Sequence, residues 1–343
     1  MQLTDRQKLI LTLIIHEHIS SAQPVGSKTL VSKYNLAMSS ATVRNEMAAL
    51  TDVGLLRQPH TSAGRVPSEE GYRYFVGNLV QNSTLPTNTR RTITHQFYQS
   101  RQDVEQWLRL AASVLAHQSQ AASLVTAPHA EKAIFKHLEL IATRGRQVLM
   151  VLVMMGGEIR QQFISLQEPV PQEQLSSIAG HLSDLCVRCT ANTIARLRGQ
   201  LEPLSDEILE IVLTEMALIE ESATGQIYLD GMTNVLSEPE FSESDEARQA
   251  LQILEERSLL ENLLASTVMN TDVGGIQVLI GGEGTWEELR QCSIVLARYG
   301  DPATLTGSVG VLGPIRMPYD RTISTVRFVA NVLSDLVSDT LAV

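Results

Sequence analysis

The stretch Ser39-Ser40-Ala41-Thr42-Val43-Arg44-Asn45-Glu46-Met47-Ala48-Ala49-Leu50 decides how this chain is read. At 100° per residue, Val43, Glu46, Met47, Leu50 and Val53 share one side of a helix. Ala41, Asn45, Ala48 and Asp52 occupy the other, with Thr42 and Arg44 on its flanks. Ser39 or Ser40 can cap the start by accepting a free backbone N–H, and Gly54 ends the helix. An apolar back behind small residues, Asn and Arg suits close approach to a polar surface. In a DNA major groove, Asn can bond an adenine edge and Arg a guanine edge, while alanines let the backbone come near. An ordinary amphipathic surface helix has the same periodicity, so the flanks must decide.

Upstream, Thr4 to Ser20 reads as a helix of wide apolar coverage (Leu9, Ile10, Leu11, Leu13, Ile14, Ile15, Ile19) with a narrow polar stripe, Asp5-Lys8-Thr12-His16. Such a stripe implies packing on more than one side. Pro24-Val25-Gly26-Ser27 then breaks the chain and opens a short helix through Thr29, Leu30, Val31 and Tyr34, with Ser27 as its cap candidate. Asn35 to Met38 is the turn into the Ser39 helix. Three helices with a tight turn before the last predict a helix-turn-helix. Downstream, Leu55 to Gln58 and Arg65 to Pro67 flank Pro59-His60-Thr61-Ser62-Ala63-Gly64, a hairpin in which Gly64 is free to take positive φ. Its tip offers hydroxyls, a His and an Arg, groups that contact phosphates or reach a minor groove. Together these segments predict a winged helix. Ser27, Lys28, Ser39, Ser40, Thr42, Arg44, Asn45, His60, Thr61, Ser62 and Arg65 are its expected DNA-contacting residues.

Charge supports the same division. The 343 residues carry a net charge of −11, which argues against a nucleic-acid binder until it is resolved by position. Residues 1–80 hold eight Lys/Arg and six Asp/Glu, leaving −13 for the remainder. A basic head on an acidic body fits DNA binding at one end. A head of only +2 neutralises few phosphates, so useful affinity calls for two heads. With 43% hydrophobic residues the chain can bury a large core spread over two or three domains. Three cysteines, no signal peptide and no apolar run longer than Val148 to Met155 predict a soluble, cytoplasmic protein.

Beyond the head, Ser68-Glu69-Glu70 opens a helix through Tyr72, Phe75, Val76 and Leu79, and Gln81 to Thr89 reads as a linker. Two helices meeting near Ser100 fill Thr92 to Gln120. Strands are expected at 121–126, 134–142, 147–154, 159–166, 276–280, 292–299 and 304–312, with helices at 172–185 and 323–341. Asn192 to Met269 reads as mostly helical, with a short strand at Gln226 to Leu229. The predicted order is a head (1–80), a linker and helix (81–102), one α/β domain in two parts (103–191 and 270–343) and an insertion (192–269). The insertion's stripe Ile208, Ile211, Val212, Glu215, Met216 and Ile219 is the expected meeting face for a symmetry mate, the alternative being a helical lid packed wholly within its own subunit.

Four segments carry a family resemblance: Pro24 to Leu30 (PVGSKTL), Ser39 to Met47 (SSATVRNEM), Pro59 to Pro67 (PHTSAGRVP) and Gly71-Tyr72-Arg73. They look like the signatures of the HrcA heat-shock repressors, and Gly313 to Tyr319 (GPIRMPY) is similar to that family's closing motif. Ile315 stands there where a hydroxyl residue is expected. The resemblance implies an α+β multidomain fold: a winged helix-turn-helix, a GAF-like domain and an inserted dimerisation domain. It further implies repression of chaperone operons by a homodimer at an inverted-repeat operator, with the GroE chaperonin as modulator. An enzyme carrying a DNA-binding head is the competing class, and the residues disfavour it. Cys186-Val187-Arg188-Cys189 is a lone C-x-x-C, read as half-buried thiols at a helix end. Gly281-Gly282-Glu283-Gly284 lacks the Lys-Ser/Thr of a phosphate loop. His16, His95 and His137 have no Ser or Cys partner at a suggestive spacing. No catalytic residue, metal site or cofactor is expected.

Overall fold

The computed structural model describes residues 3–60, 63–80, 84–99, 103–130, 132–155, 157–221, 225–242, 256–267, 272–281, 286, 289–301 and 305–340. The fold is mixed α/β, and the chain divides into two compact units. The first comprises residues 1–127, 226–299 and 308–336; the second comprises 128–225, 300–307 and 337–343.

The first unit begins with α1 (Asp5–Ser21), α2 (Ser27–Lys33) and α3 (Ser40–Asp52). Thr4 starts α1 through a capping box: its hydroxyl accepts Gln7 N–H and the Gln7 side chain accepts Thr4 N–H. Ile10, Leu11, Ile14 and Ile15 are buried, and α1 touches α3, β2 and α4, which accounts for its broad apolar surface. Ser39 caps α3 by accepting Thr42 N–H at 3.1 Å, and Gly54 takes φ +81° to leave it. Val43, Met47 and Leu50 are buried as expected, whereas Val53 is exposed. The helix ends one residue before Val53, so the extrapolated helical phase no longer holds there.

Strands β1 (Leu56–Arg57) and β2 (Val66–Pro67) pair antiparallel, and Val25 bridges to Arg65 with two backbone hydrogen bonds of 2.8 and 2.9 Å. Gly64 does not use its freedom to take positive φ. Glycine is required for another reason: a Cβ there would lie 2.4 Å from the Val25 carbonyl oxygen. Ser68 caps α4 (Glu69–Asn78), and its hydroxyl also donates to Gly54 O at 2.6 Å, tying this cap to the exit of α3.

Helices α5 (Thr87–Gln99) and α6 (Val104–Ser119) lead to β3 (Ala122–Thr126). Later segments add β7 (Ile227–Asp230), α10 (Met232–Leu236), α11 (Pro239–Ser242), α12 (Arg257–Thr267), β8 (Ile276–Ile280), β9 (Cys292–Gly300), β10 (Thr306–Pro314) and α13 (Tyr319–Thr340). The five strands form one sheet in the order β7-β3-β10-β9-β8, with Leu124 opposite both Leu229 and Gly310. Every residue of β3, β9 and β10 is buried, the pattern of strands covered on both faces.

The second unit is built on a separate sheet of β4 (Phe135–Ala142), β5 (Gln147–Met154) and β6 (Ile159–Ser165). Its helices are α7 (Gln172–Cys186), α8 (Ala191–Ile194) and α9 (Pro203–Glu221). Leu138, Leu140, Met150, Leu152 and Ile164 pack with Leu175, Ile178 and Leu182 of α7 and Ile208, Val212, Met216 and Ile219 of α9.

Two expectations are corrected by this unit. The compact inserted segment spans 128–225 instead of 192–269, because β4, β5 and β6 pair only with one another. The strands expected at 134–166 therefore do not join those at 276–312. Most of the apolar stripe of α9 is buried in the core of its own unit, beside α7 and α8, so the helix is packed within its own subunit. What remains open is the sheet's other face. Ile141, Leu149 and Phe163 are cross-strand neighbours there, as are Val153 and Ile159. Phe163 is 65% and Ile159 56% exposed.

Candidate nucleic-acid interface

On α3 the exposed surface carries Ala41, Arg44 and Asn45, with Ala48 half-buried beside them. The hydroxyls of Ser39 and Thr42 lie 2.9 Å apart, so both serve the cap. Ser40 is half-buried in the first turn, and Lys28 is exposed on α2. Ser27 departs from the expected surface: it is buried, and Gly26 takes the N-cap position. The reason is the Val25–Arg65 bridge, which draws the start of α2 inward. His60 is exposed at the hairpin, while Thr61 and Ser62 lie outside the described residues.

Arg65 is half-buried, and its Nε donates to Thr51 Oγ1 of α3 at 3.0 Å. The hairpin is thereby held to the helix that precedes it. A cleft of about 410 Å³ lies between them, lined by Val25, Gly26, Ser27, Arg44, Met47, Gln58, Ala63, Gly64 and Arg65. Two guanidinium groups from separate elements thus border one concavity.

The electrostatics of the head sharpen its small net charge. Asp5 pairs with Lys8, Glu17 with Lys33, Glu46 with Arg6, and both Glu69 and Glu70 with Arg73. Lys28, Arg44, Arg57 and Arg65 make no ion pair among the described residues. The cations left available therefore sit on α2, α3 and the hairpin. Arg57 is exposed on β1 and is an addition to the expected set. Its signal in the sequence was its place in the strand opposite Val66.

Elsewhere, burial pushes the Cys186 thiol up to about 11 and the Cys292 thiol up to about 12, so both are protonated at neutral pH. Neither is activated as a nucleophile. The Gly281 to Gly284 loop lies mostly outside the described residues. His137 does gain a serine neighbour through the tertiary fold. Ser183 Oγ stands 3.4 Å from its Nδ1, and Glu139 lies 3.1 Å from its Nε2. The serine oxygen already accepts Leu138 N–H at 3.1 Å, so it fastens α7 to β4. Among the described residues no group of three or more His, Cys, Asp or Glu is placed to hold a metal ion. No helix among them is long and apolar enough to cross a membrane.

The family model described as "HrcA protein C terminal domain" matches residues 105–323. The chain is 44% identical to the heat-inducible transcription repressor HrcA of Roseiflexus castenholzii, covering 98% of this chain and 95% of that protein. It is 40% identical to the protein of that name from Thermomicrobium roseum, covering 99% and 97%. A solved structure titled "Crystal structure of a hypothetical protein at 2.2 A resolution" shares the fold, with a TM-score of 0.62, 24% identity and coverage of 99% and 100%. The chain belongs to the HrcA family of heat-inducible transcription repressors.

Proposed function

We propose that this protein represses transcription by binding an inverted-repeat operator as a homodimer. Residues 4–79 act as a winged helix-turn-helix, with α3 in the major groove and the β1–β2 hairpin as the wing. The observation that carries the reading is the distribution of free cations. Arg44 beside the exposed Asn45 and Arg65 across the cleft make no ion pair among the described residues, nor do Lys28 and Arg57, while the head's other cations are neutralised by neighbours. Asn45 and Arg44 read base edges; Lys28, Ser40, His60 and the two wing arginines hold the backbone. The five-stranded sheet with its helices acts as a GAF-like body.

Salt-series titrations test the assignment. Asn45→Ala is expected to cost roughly 1–3 kcal/mol on the operator while leaving random DNA unaffected. Arg65→Ala should weaken both and lower the salt slope by about one unit. Equal loss by Asn45→Ala on operator and random DNA would overturn the role of α3.

The second copy is assigned to the open face of the β4-β5-β6 sheet. Alternation puts Ile141, Leu149, Val151, Val153, Ile159 and Phe163 on that face together with His137, Glu139 and Gln161, opposite the face that contributes to the core with α7 and α9. A patch of this kind on a soluble protein marks an association surface. The GroE chaperonin is proposed as the modulator that returns heat-unfolded repressor to its binding-competent state. A loss of about 1–2 kcal/mol of stability then changes the active population several-fold. Protein heated and cooled should regain operator binding only when chaperonin and ATP are supplied. Full recovery in buffer alone would remove chaperonin from the mechanism.

A further inference from the structure

The strongest unexplained cluster lies where the Gly313 to Tyr319 segment meets the head. Arg316 is 11% exposed, and its guanidinium grips two separate parts of the first unit. Toward the body, Nε and Nη2 make a bidentate pair with Glu240 at 2.5 and 3.1 Å, and Nη2 also donates to Glu238. Toward the head, Nη1 donates at 3.1 Å to the carbonyl of Ile19 in the last turn of α1. That carbonyl belongs to the group at a helix end that lacks an intrahelical partner, and a cation there also complements the helix dipole. Around it the Tyr72 and Tyr319 rings stand 5.8 Å apart, and Tyr72 shares a 2.9 Å hydrogen bond with His18. Burial, followed by the Arg316 cation, lowers His18 to about 4, so the ring is neutral at physiological pH. A second strut runs in parallel: Arg73 of α4 donates at 2.8 Å to Ile280 O at the end of β8.

We propose that Arg316 is a positioning residue for operator recognition. It holds α1, and with it the whole head, at one attitude on the five-stranded body, and a loose joint here widens the range of separations open to two α3 helices in a dimer. The inference rests on the two-head reading above and adds to it a residue that steadies each head for a fixed operator spacing. A loose head would still find a half-site. It would lose the benefit of the second head, because linked binding gains only when the geometry allows both sites to be engaged at once.

The test compares the full-length protein with Arg316→Gln and Arg316→Lys on three DNAs: one half-site, the native inverted repeat, and repeats with the spacer changed by one to three base pairs. Each inserted pair turns a half-site by about 35°, which a fixed head cannot follow. Arg316→Gln is expected to keep half-site affinity within about twofold, lose at least about tenfold on the native repeat, and bind all spacers about equally. Arg316→Lys should restore the spacing preference only in part, since one ammonium cannot reproduce the bidentate pair. Nitroxide labels at exposed Ala41 and His117, with Cys189→Ser, read the joint without DNA, and Arg316→Gln should broaden their distance distribution. A distribution as narrow as that of the unaltered protein, an undiminished spacing preference, or parallel loss on half-site and full site overturns the proposal. If the unaltered protein binds half-site and repeat equally, the two-head reading fails, and the label distances still judge the joint.

Discussion

A chain carrying Ile159→Asp and Phe163→Asp is expected to sediment as a monomer and to bind the inverted repeat about 100-fold or more weakly. Both side chains lie on the open face of β6, where Ile159 pairs with Val153 and Phe163 with Leu149. Carboxylates would cost little in the monomer, because these positions are 56% and 65% exposed. Buried in an interface without cationic partners, they would be strongly unfavourable. The loss in DNA binding comes through mass action, since the head itself is untouched. Half-site affinity and the melting temperature of the head should therefore stay as they are. A dimer that survives the pair of substitutions would move the interface away from this sheet.

The second large effect is expected from Gly64→Ala. A Cβ at residue 64 would lie 2.4, 2.5 and 2.8 Å from the O, C and N atoms of Val25, all backbone, so no side-chain rotation relieves it. The Val25–Arg65 bridge must open, with its two hydrogen bonds at about 1 kcal/mol each, and displacement of packed groups adds about 1–3 kcal/mol. Freed from the bridge, Arg65 no longer borders the cleft at a fixed distance from Arg44. Operator and random DNA binding should both fall, with a lowered melting transition for residues 4–79. Melting followed by circular dichroism, with the same salt-series titration used for Arg65→Ala, checks the result. Normal melting and normal binding would show that the hairpin can adjust without the bridge.

Local order was legible in the sequence wherever short-range chemistry decides it. Ser39 and Ser68 cap helices, Gly54 leaves α3 in the left-handed region, and β5 and β8 span the expected residues. Each depends on residues within a few positions, so the pattern carries the answer. The face of α3 presenting Arg44 and Asn45 follows from periodicity alone. Ser27 could not be placed correctly, because its burial comes from Val25 pairing with a strand forty residues away.

Strand partnership was a tertiary decision. β5 is apolar after its first residue yet belongs to a sheet with one open face, while β3, β9 and β10 are buried throughout, so the apolar pattern does not separate the two sheets. Which strands hydrogen-bond depends on long-range register, and that moved the inserted unit to residues 128–225 and turned the α9 stripe inward. The role of Arg316 was equally out of reach. Its motif stood out as a string of residues, but its partner Ile19 lies 297 positions away, and only folding brings a free helix-end carbonyl to that guanidinium. The chain by itself determined its helices, most of its strands and the exposed face of α3 through local propensity and periodicity. The fold decided which apolar face stays open and how the head is held, because both depend on contacts between segments distant in sequence.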